Sequence, residues 1–102
     1  MNDFILQADF SHHSQSWFYT HIEILGPNKY RVRIRRNAYD FQCYAIVEIW
    51  TGKKWSQVIS RPIEEMSCNS VSYTQETLSE ADKTRFKVDA TNLLALAVRI
   101  AG

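Results

Sequence analysis

Apolar and polar positions alternate along the first half of the chain, and the alternation falls into strands. It is strictest in Lys29-Tyr30-Arg31-Val32-Arg33-Ile34-Arg35-Arg36. There a strand places Val32 and Ile34 on one face and Arg31, Arg33 and Arg35 on the other. Upstream, Trp17 to Leu25 alternates more loosely, with Phe18, Ile22 and Ile24 on one side and Tyr19, His21 and Glu23 on the other. Gly26-Pro27-Asn28-Lys29 between them is a turn signal, since Pro27 presets φ and Asn28 or Lys29 tolerates the left-handed region. A loop over Pro27–Lys29 pairs Gly26 with Tyr30, Glu23 with Arg33 and Ile22 with Ile34, a register that sets polar against polar and apolar against apolar.

Cys43 to Trp50 is apolar at nearly every position except Glu48 and reads as a central strand. Thr51-Gly52-Lys53-Lys54 is a tight hairpin turn. A two-residue Gly52-Lys53 loop sets Trp50 opposite Trp55 and Val47 opposite Val58. The next strand, Trp55 to Ser60, stops at Arg61-Pro62, because proline has no ladder donor. Ser70 to Thr74 offers a fifth, edge strand. Phe4 to Phe10 is a further strand or a short helix, and Ser11 to Ser16 is a loop.

The period changes to that of a helix near Ser79. Thr77-Leu78-Ser79-Glu80 fits a capping box, as does Ser79 with Asp82. Phe86, Ala90, Leu93, Leu94, Ala97, Ile100 and Ala101 form the expected core stripe, with Thr84, Val88, Asn92 and Arg99 on the far side. A short strand over Thr84–Val88 before a helix starting near Asp89 is the alternative. The expected fold is α+β: a twisted antiparallel sheet of four to five strands with one C-terminal helix on one face, forming one domain over residues 1–102.

Composition narrows the function. Twelve basic and eleven acidic residues nearly cancel, so any anion site must be local. Five of the eight residues from Lys29 to Arg36 are basic and none is acidic, which makes that strand a positive ridge. Arg31, Arg33 and Arg35 would stand about 7 Å apart, given the rise of ~3.3 Å per strand residue. That spacing can follow a phosphate backbone, with Tyr19, Tyr44, Trp50 and Trp55 available for stacking. The structural reading is a cross-strand ladder of Glu23, Arg33 and Glu48. Tyr44, Ile46, Trp50, Trp55 and Ile59 fall together on the face the helix leaves open, more apolar surface than a monomer usually exposes. Tyr, Trp and Arg together are the composition of binding hot spots.

No catalytic frame accompanies the Ser, His and Asp residues, and three glycines are too few for a phosphate cradle. Glu64-Glu65 has no partner to raise a carboxylate pKa. His12, His13 and His21 match no structural zinc spacing, and Cys43 and Cys68 form no paired knuckle. The expectation is a non-enzymatic protein without metal or cofactor. No basic segment followed by an apolar run opens the chain, and no apolar run is long enough for a membrane span. That points to the cytoplasm, with Cys43 and Cys68 as buried reduced thiols.

Arg36-Asn37-Ala38-Tyr39-Asp40-Phe41-Gln42-Cys43-Tyr44-Ala45, followed by Glu48 and the hairpin Trp50-Thr51-Gly52-Lys53-Lys54-Trp55, resembles short uncharacterised proteins of phages and prophages. The resemblance covers residues 31–59, about a third of the chain. It implies a small accessory protein that acts by binding, inhibitors of host defence systems being one such class. Independently of it, Asn37 and Asp40 can cap the loop between the strands, with Tyr39 and Phe41 either anchored on the core, the preferred reading, or protruding as a contact. The reading is a binding protein that uses Arg31, Arg33, Arg35, Tyr44, Trp50 and Trp55 against a protein partner or its own copy. Nucleic-acid or nucleotide binding through Arg31, Arg33 and Arg35 is the alternative.

Overall fold

In a computed structural model, which describes residues 4–37, 43–62, 66–72 and 77–101, the alternating segments form one antiparallel meander. Its strands are β1 (Ile5–His13), β2 (Ser16–Leu25), β3 (Asn28–Asn37), β4 (Tyr44–Trp50) and β5 (Trp55–Pro62), side by side in chain order. A short 3-10 turn over Ser67–Ser70 follows, then helix α1 (Glu80–Ala101). The α+β architecture expected from the pattern is the one observed, with an open five-stranded sheet and one helix on it.

The fifth strand is the N-terminal one. Ser11 to His13 lie in β1 rather than in a loop, because the chain reverses in two residues at Ser14 and Gln15. Both have positive φ, 53° and 57°, the geometry of a hairpin turn whose twist matches the flanking strands. Neither is glycine, so composition gave no sign of it. Ser70 closes the 3-10 turn and Val71 and Ser72 are not in a strand, while Tyr73 and Thr74 lie outside the described residues. Tyr39, Asp40, Phe41, Glu64 and Glu65 lie outside them too.

Two registers depart from expectation. β2 and β3 turn at Gly26-Pro27, with Leu25 opposite Asn28 and Glu23 opposite Tyr30. Gly26 takes φ 62°, a conformation that glycine adopts freely, so the loop is two residues long and begins one residue earlier. An odd shift exchanges faces. Tyr19 and His21 therefore join Val32 and Ile34 beneath the helix, and Phe18 and Ile22 join the arginines. On β5, Trp50 does oppose Trp55, but Val58 is an extra residue in a bulge and Val47 meets Ile59 instead. The bulge turns Ile59 into the core, where it is 5% exposed, and removes it from the open face.

The core lies between sheet and helix. Tyr19, Tyr30, Val32, Ile34, Ala45, Val47 and Ile59 face Phe86, Ala90, Leu93, Leu94 and Ala97. Each large side chain removed from water contributes about 1.5–3 kcal/mol, which holds the two layers together. The helix starts where expected: the Ser79 hydroxyl accepts from the Asp82 backbone N–H at 3.1 Å, and the helix runs unbroken through Thr84–Val88. Its stripe ends early, because Ile100 and Ala101 pass beyond the sheet and are exposed.

Cys43 and Cys68 are not free thiols. They are joined as a disulfide, with Cα atoms 6.5 Å apart. The 3-10 turn brings them together. Asp89 on α1 accepts the backbone N–H groups of Ser67 and Cys68, both at 2.8 Å, and the Asn69 side chain accepts the Cys43 N–H at 2.6 Å. Burial raises the Asp89 pKa, and these backbone hydrogen bonds oppose the rise.

Candidate functional site

The six residues singled out in the sequence share the sheet face opposite the helix. Register fixes this. Along β3, Lys29, Arg31, Arg33 and Arg35 alternate with the buried Tyr30, Val32 and Ile34. Arg31 stands opposite Glu48, Arg33 opposite Ile46, and Arg35 between Phe18 and Tyr44. Trp50 and Trp55 cross-pair at the end of the β4–β5 hairpin, with ring centroids 5.3 Å apart and edge to face.

Every aromatic ring of this set carries a cation. The Arg31 guanidinium lies 4.6 Å from the Trp55 ring centre, and Arg35 lies 5.5 Å from that of Tyr44. The Lys29 ammonium sits 5.0 Å from Trp50 and 5.7 Å from Trp55. Such contacts contribute roughly 0.5–1 kcal/mol at exposed positions. They also hold long, mobile side chains against the sheet. Tyr44 is fixed further by a 2.7 Å hydrogen bond between its hydroxyl and that of Ser60.

Glu48 neutralises part of the ridge. It accepts from Arg31 Nε at 2.8 Å and from Arg31 Nη2 at 3.1 Å, and it lies 3.1 Å from Arg33 Nε. Burial pushes its carboxyl pKa up, but the Arg31 hydrogen bond and the charges of Arg33 and Arg31 outweigh burial, and the group sits below its ordinary value. Glu23 takes no part in this ladder. It is on the helix side, where it accepts from His21. The face therefore carries Lys29, Arg31, Arg33 and Arg35 against Glu48 and, two strands from Arg33, Asp9. It stays net positive.

Beside the arginines is a shallow pocket of about 240 Å³, walled by Phe18, Thr20, Arg33, Arg35, Tyr44 and Ile46. Phe18 and Ile46 form an apolar floor; Ile46 is on the face the pattern predicts, and Phe18 reaches it through the two-residue Gly26-Pro27 turn.

The histidines go to three separate places. His12 lies by Trp17, and His13 stacks on Phe18 with centroids 4.4 Å apart. His21 is buried on the covered face, its Nδ1 2.7 Å from the Tyr19 hydroxyl and its Nε2 2.7 Å from Glu23. With Glu23 accepting from Nε2–H, Nδ1 accepts from the phenol. Burial, with Glu23 and Asp9 adding to it, pushes the Tyr19 pKa up to about 12, so this phenol is a donor and not a nucleophile. Among the described residues no three His, Cys, Asp or Glu side chains are grouped to hold a metal ion. No described helix is long and apolar enough to cross a membrane.

Comparison with protein-family models, with curated proteins and with solved structures finds no match to this chain.

Proposed function

We propose that the protein is a non-enzymatic binding protein whose open sheet face docks an acidic surface of a protein partner. One observation carries this reading: Arg31 and Arg33 already grip a carboxylate, that of Glu48, while the Trp50 and Trp55 rings at the Lys29–Arg31 end of the strand are covered by cations. The face is thus built for carboxylates. Arg33 is 47% exposed, so its guanidinium faces solvent with one edge still available to an acidic side chain. Aromatic–arginine clusters of this kind are the usual anchors of protein interfaces.

The nucleic-acid reading is supported by the even spacing of Arg31, Arg33 and Arg35 along one strand. It is weakened by the rings. Bases stack on bare aromatic faces, and here Trp55, Trp50 and Tyr44 each lie beneath a cation that a base would have to displace. The phage-type accessory setting implied by the resemblance in residues 31–59 fits a small protein that acts by occupying a partner's surface. A cytoplasmic setting belongs to the same proposal, and the Cys43–Cys68 disulfide stands against it, since cytosolic thiols are kept reduced.

Amide chemical shifts followed during titration with a glutamate-rich peptide test the reading. Shifts confined to β3, β4 and the Trp50–Trp55 hairpin are expected. Shifts confined to the helix side, or none, would remove it.

A further inference from the structure

Among the described residues, the strand order leaves β1 and β5 at the two edges of the sheet. An edge strand presents a row of backbone donors and acceptors to any chain that can pair with it, and proteins usually blunt such edges. β5 is blunted. It carries the Val58 bulge, ends on a proline that has no N–H, and follows the exposed Lys53 and Lys54. β1 is not. Its nine residues, Ile5-Leu6-Gln7-Ala8-Asp9-Phe10-Ser11-His12-His13, include no lysine, arginine, proline or glycine. The one irregularity falls between Ile5 and Gln7, so Gln7 to His13 runs as a regular ladder. Helix α1 lies over the other four strands and meets β1 where Phe86 touches Phe10, at 5.7 Å between ring centres.

We infer that β1 pairs antiparallel with β1 of a second copy of this chain, joining two sheets into one of ten strands. Geometry selects the register. A two-fold axis through the sheet keeps both helices on one side only if residues of the same parity meet. Pairing the whole regular stretch Gln7–His13 with itself centres the axis on Phe10. Gln7 then meets His13 of the second copy, Ala8 meets His12, and Asp9 meets Ser11. The neighbouring register centred on Asp9 places two carboxylates directly opposite, which is destabilising. The one centred on Ser11 gives up two residues of pairing at each end. The outer ends would gain apolar cover, since Phe4 and Leu6, 64% and 53% exposed, reach toward the Ser14–Gln15 turn of the second copy. Both arginine faces emerge on the same side of the joined sheet.

The test is sedimentation equilibrium over a concentration series for the wild type, Ser11→Lys and Ser11→Asp. Ser11 is exposed, so neither substitution enters the core, and thermal melts will confirm both fold. In the Phe10-centred register residue 11 faces Asp9 twice by symmetry. Ser11→Lys should tighten the dimer several-fold and Ser11→Asp should loosen it several-fold, as expected for two cross-strand charge pairs. A chain that stays monomeric at every concentration overturns the inference. So does a dimer that both substitutions move in one direction, or that neither moves. Ser11 lies on the open face, two strands from Arg35 with Phe18 between, so the test reads association of the chain alone, with no peptide or nucleic acid present, and its failure leaves the reading of that face untouched.

Discussion

Glu48 is bound by Arg31 through two parallel hydrogen bonds, 2.8 and 3.1 Å long, across the β3–β4 ladder. The pair is the internal model for the acidic partner we propose, and it is also a structural tie. Glu48→Gln removes the charge and leaves Arg31 half-satisfied. We expect it to cost about 1–3 kcal/mol, a fall of several degrees in the melting temperature for a domain of this size. It should also strengthen binding of a glutamate-rich peptide, since an internal competitor is gone. Thermal melts and peptide titration of the variant check both signs.

The same carboxylate gives a pH dependence. Its folded-state pKa is depressed, so its contribution is present above the ordinary carboxylate range and is lost as pH falls through the folded value. Stability measured by urea denaturation should therefore decline on the acid side in the wild type, and more gently in Glu48→Gln. Parallel declines in the two proteins would show that other groups dominate the acid limb.

Tyr19 predicts the opposite limb. Its pKa is raised from 10.0 to about 12, so the folded state holds the phenol proton more tightly than the unfolded chain does. Stability from this group is complete below pH 10 and is lost as pH rises towards 12. A two-unit shift corresponds to about 2–3 kcal/mol. Tyr19→Phe should be less stable at neutral pH by roughly 1–2 kcal/mol, because His21 loses a hydrogen bond. It should also be flatter between pH 10 and 12. Alkaline denaturation monitored by circular dichroism compares them.

The Cys43–Cys68 bridge closes a loop with a sequence separation of 25. By the chain-entropy account that is about 3 kcal/mol of stability. Cys43→Ser, or reduction of the wild type, should lower the melting temperature by ten degrees or more, on the order of 4–8 °C per kcal/mol. Two titratable thiols in the native protein, with melting insensitive to reductant, would contradict the pairing.

Much of the fold was readable where local pattern and tertiary demand agree. The alternation of Lys29 to Arg36, the Trp50–Trp55 hairpin and the Phe86–Ala97 stripe each bury the face their period indicates. Misreadings came from single-residue events that pattern does not encode. A turn at Gly26-Pro27, one residue from the expected loop, exchanged the faces of β2. One extra residue at Val58 moved Ile59 inward. The Ser14–Gln15 turn uses residues with no preference for positive φ, so only pairing of β1 with β2 imposes it. The disulfide depends on a 3-10 turn held by Asp89, a contact across 21 residues that no local signal announces. The six residues singled out share one face despite these shifts, because they sit on β3, β4 and the start of β5, which the turn at Gly26-Pro27 and the Val58 bulge leave in place. Glu23 did not, and with it went half of the expected charge ladder.

Docking of an acidic protein surface on the open face is what we propose, and the binding roles of Arg33 and Arg35 depend on it. The direct measurement is fluorescence anisotropy with a labelled glutamate-rich peptide and with labelled single-stranded DNA and RNA, over a salt series. The wild type is compared with Arg33→Ala/Arg35→Ala, which spares the Arg31–Glu48 pair. We expect the peptide to bind more tightly than either nucleic acid at moderate salt, and the double variant to lose that binding while still unfolding cooperatively, a few degrees below the wild type because the Arg33–Glu48 and Arg35–Tyr44 contacts are gone. Tighter binding of DNA or RNA, weakening with salt at a slope near the number of arginines engaged, would contradict it and make the row of arginines a phosphate track.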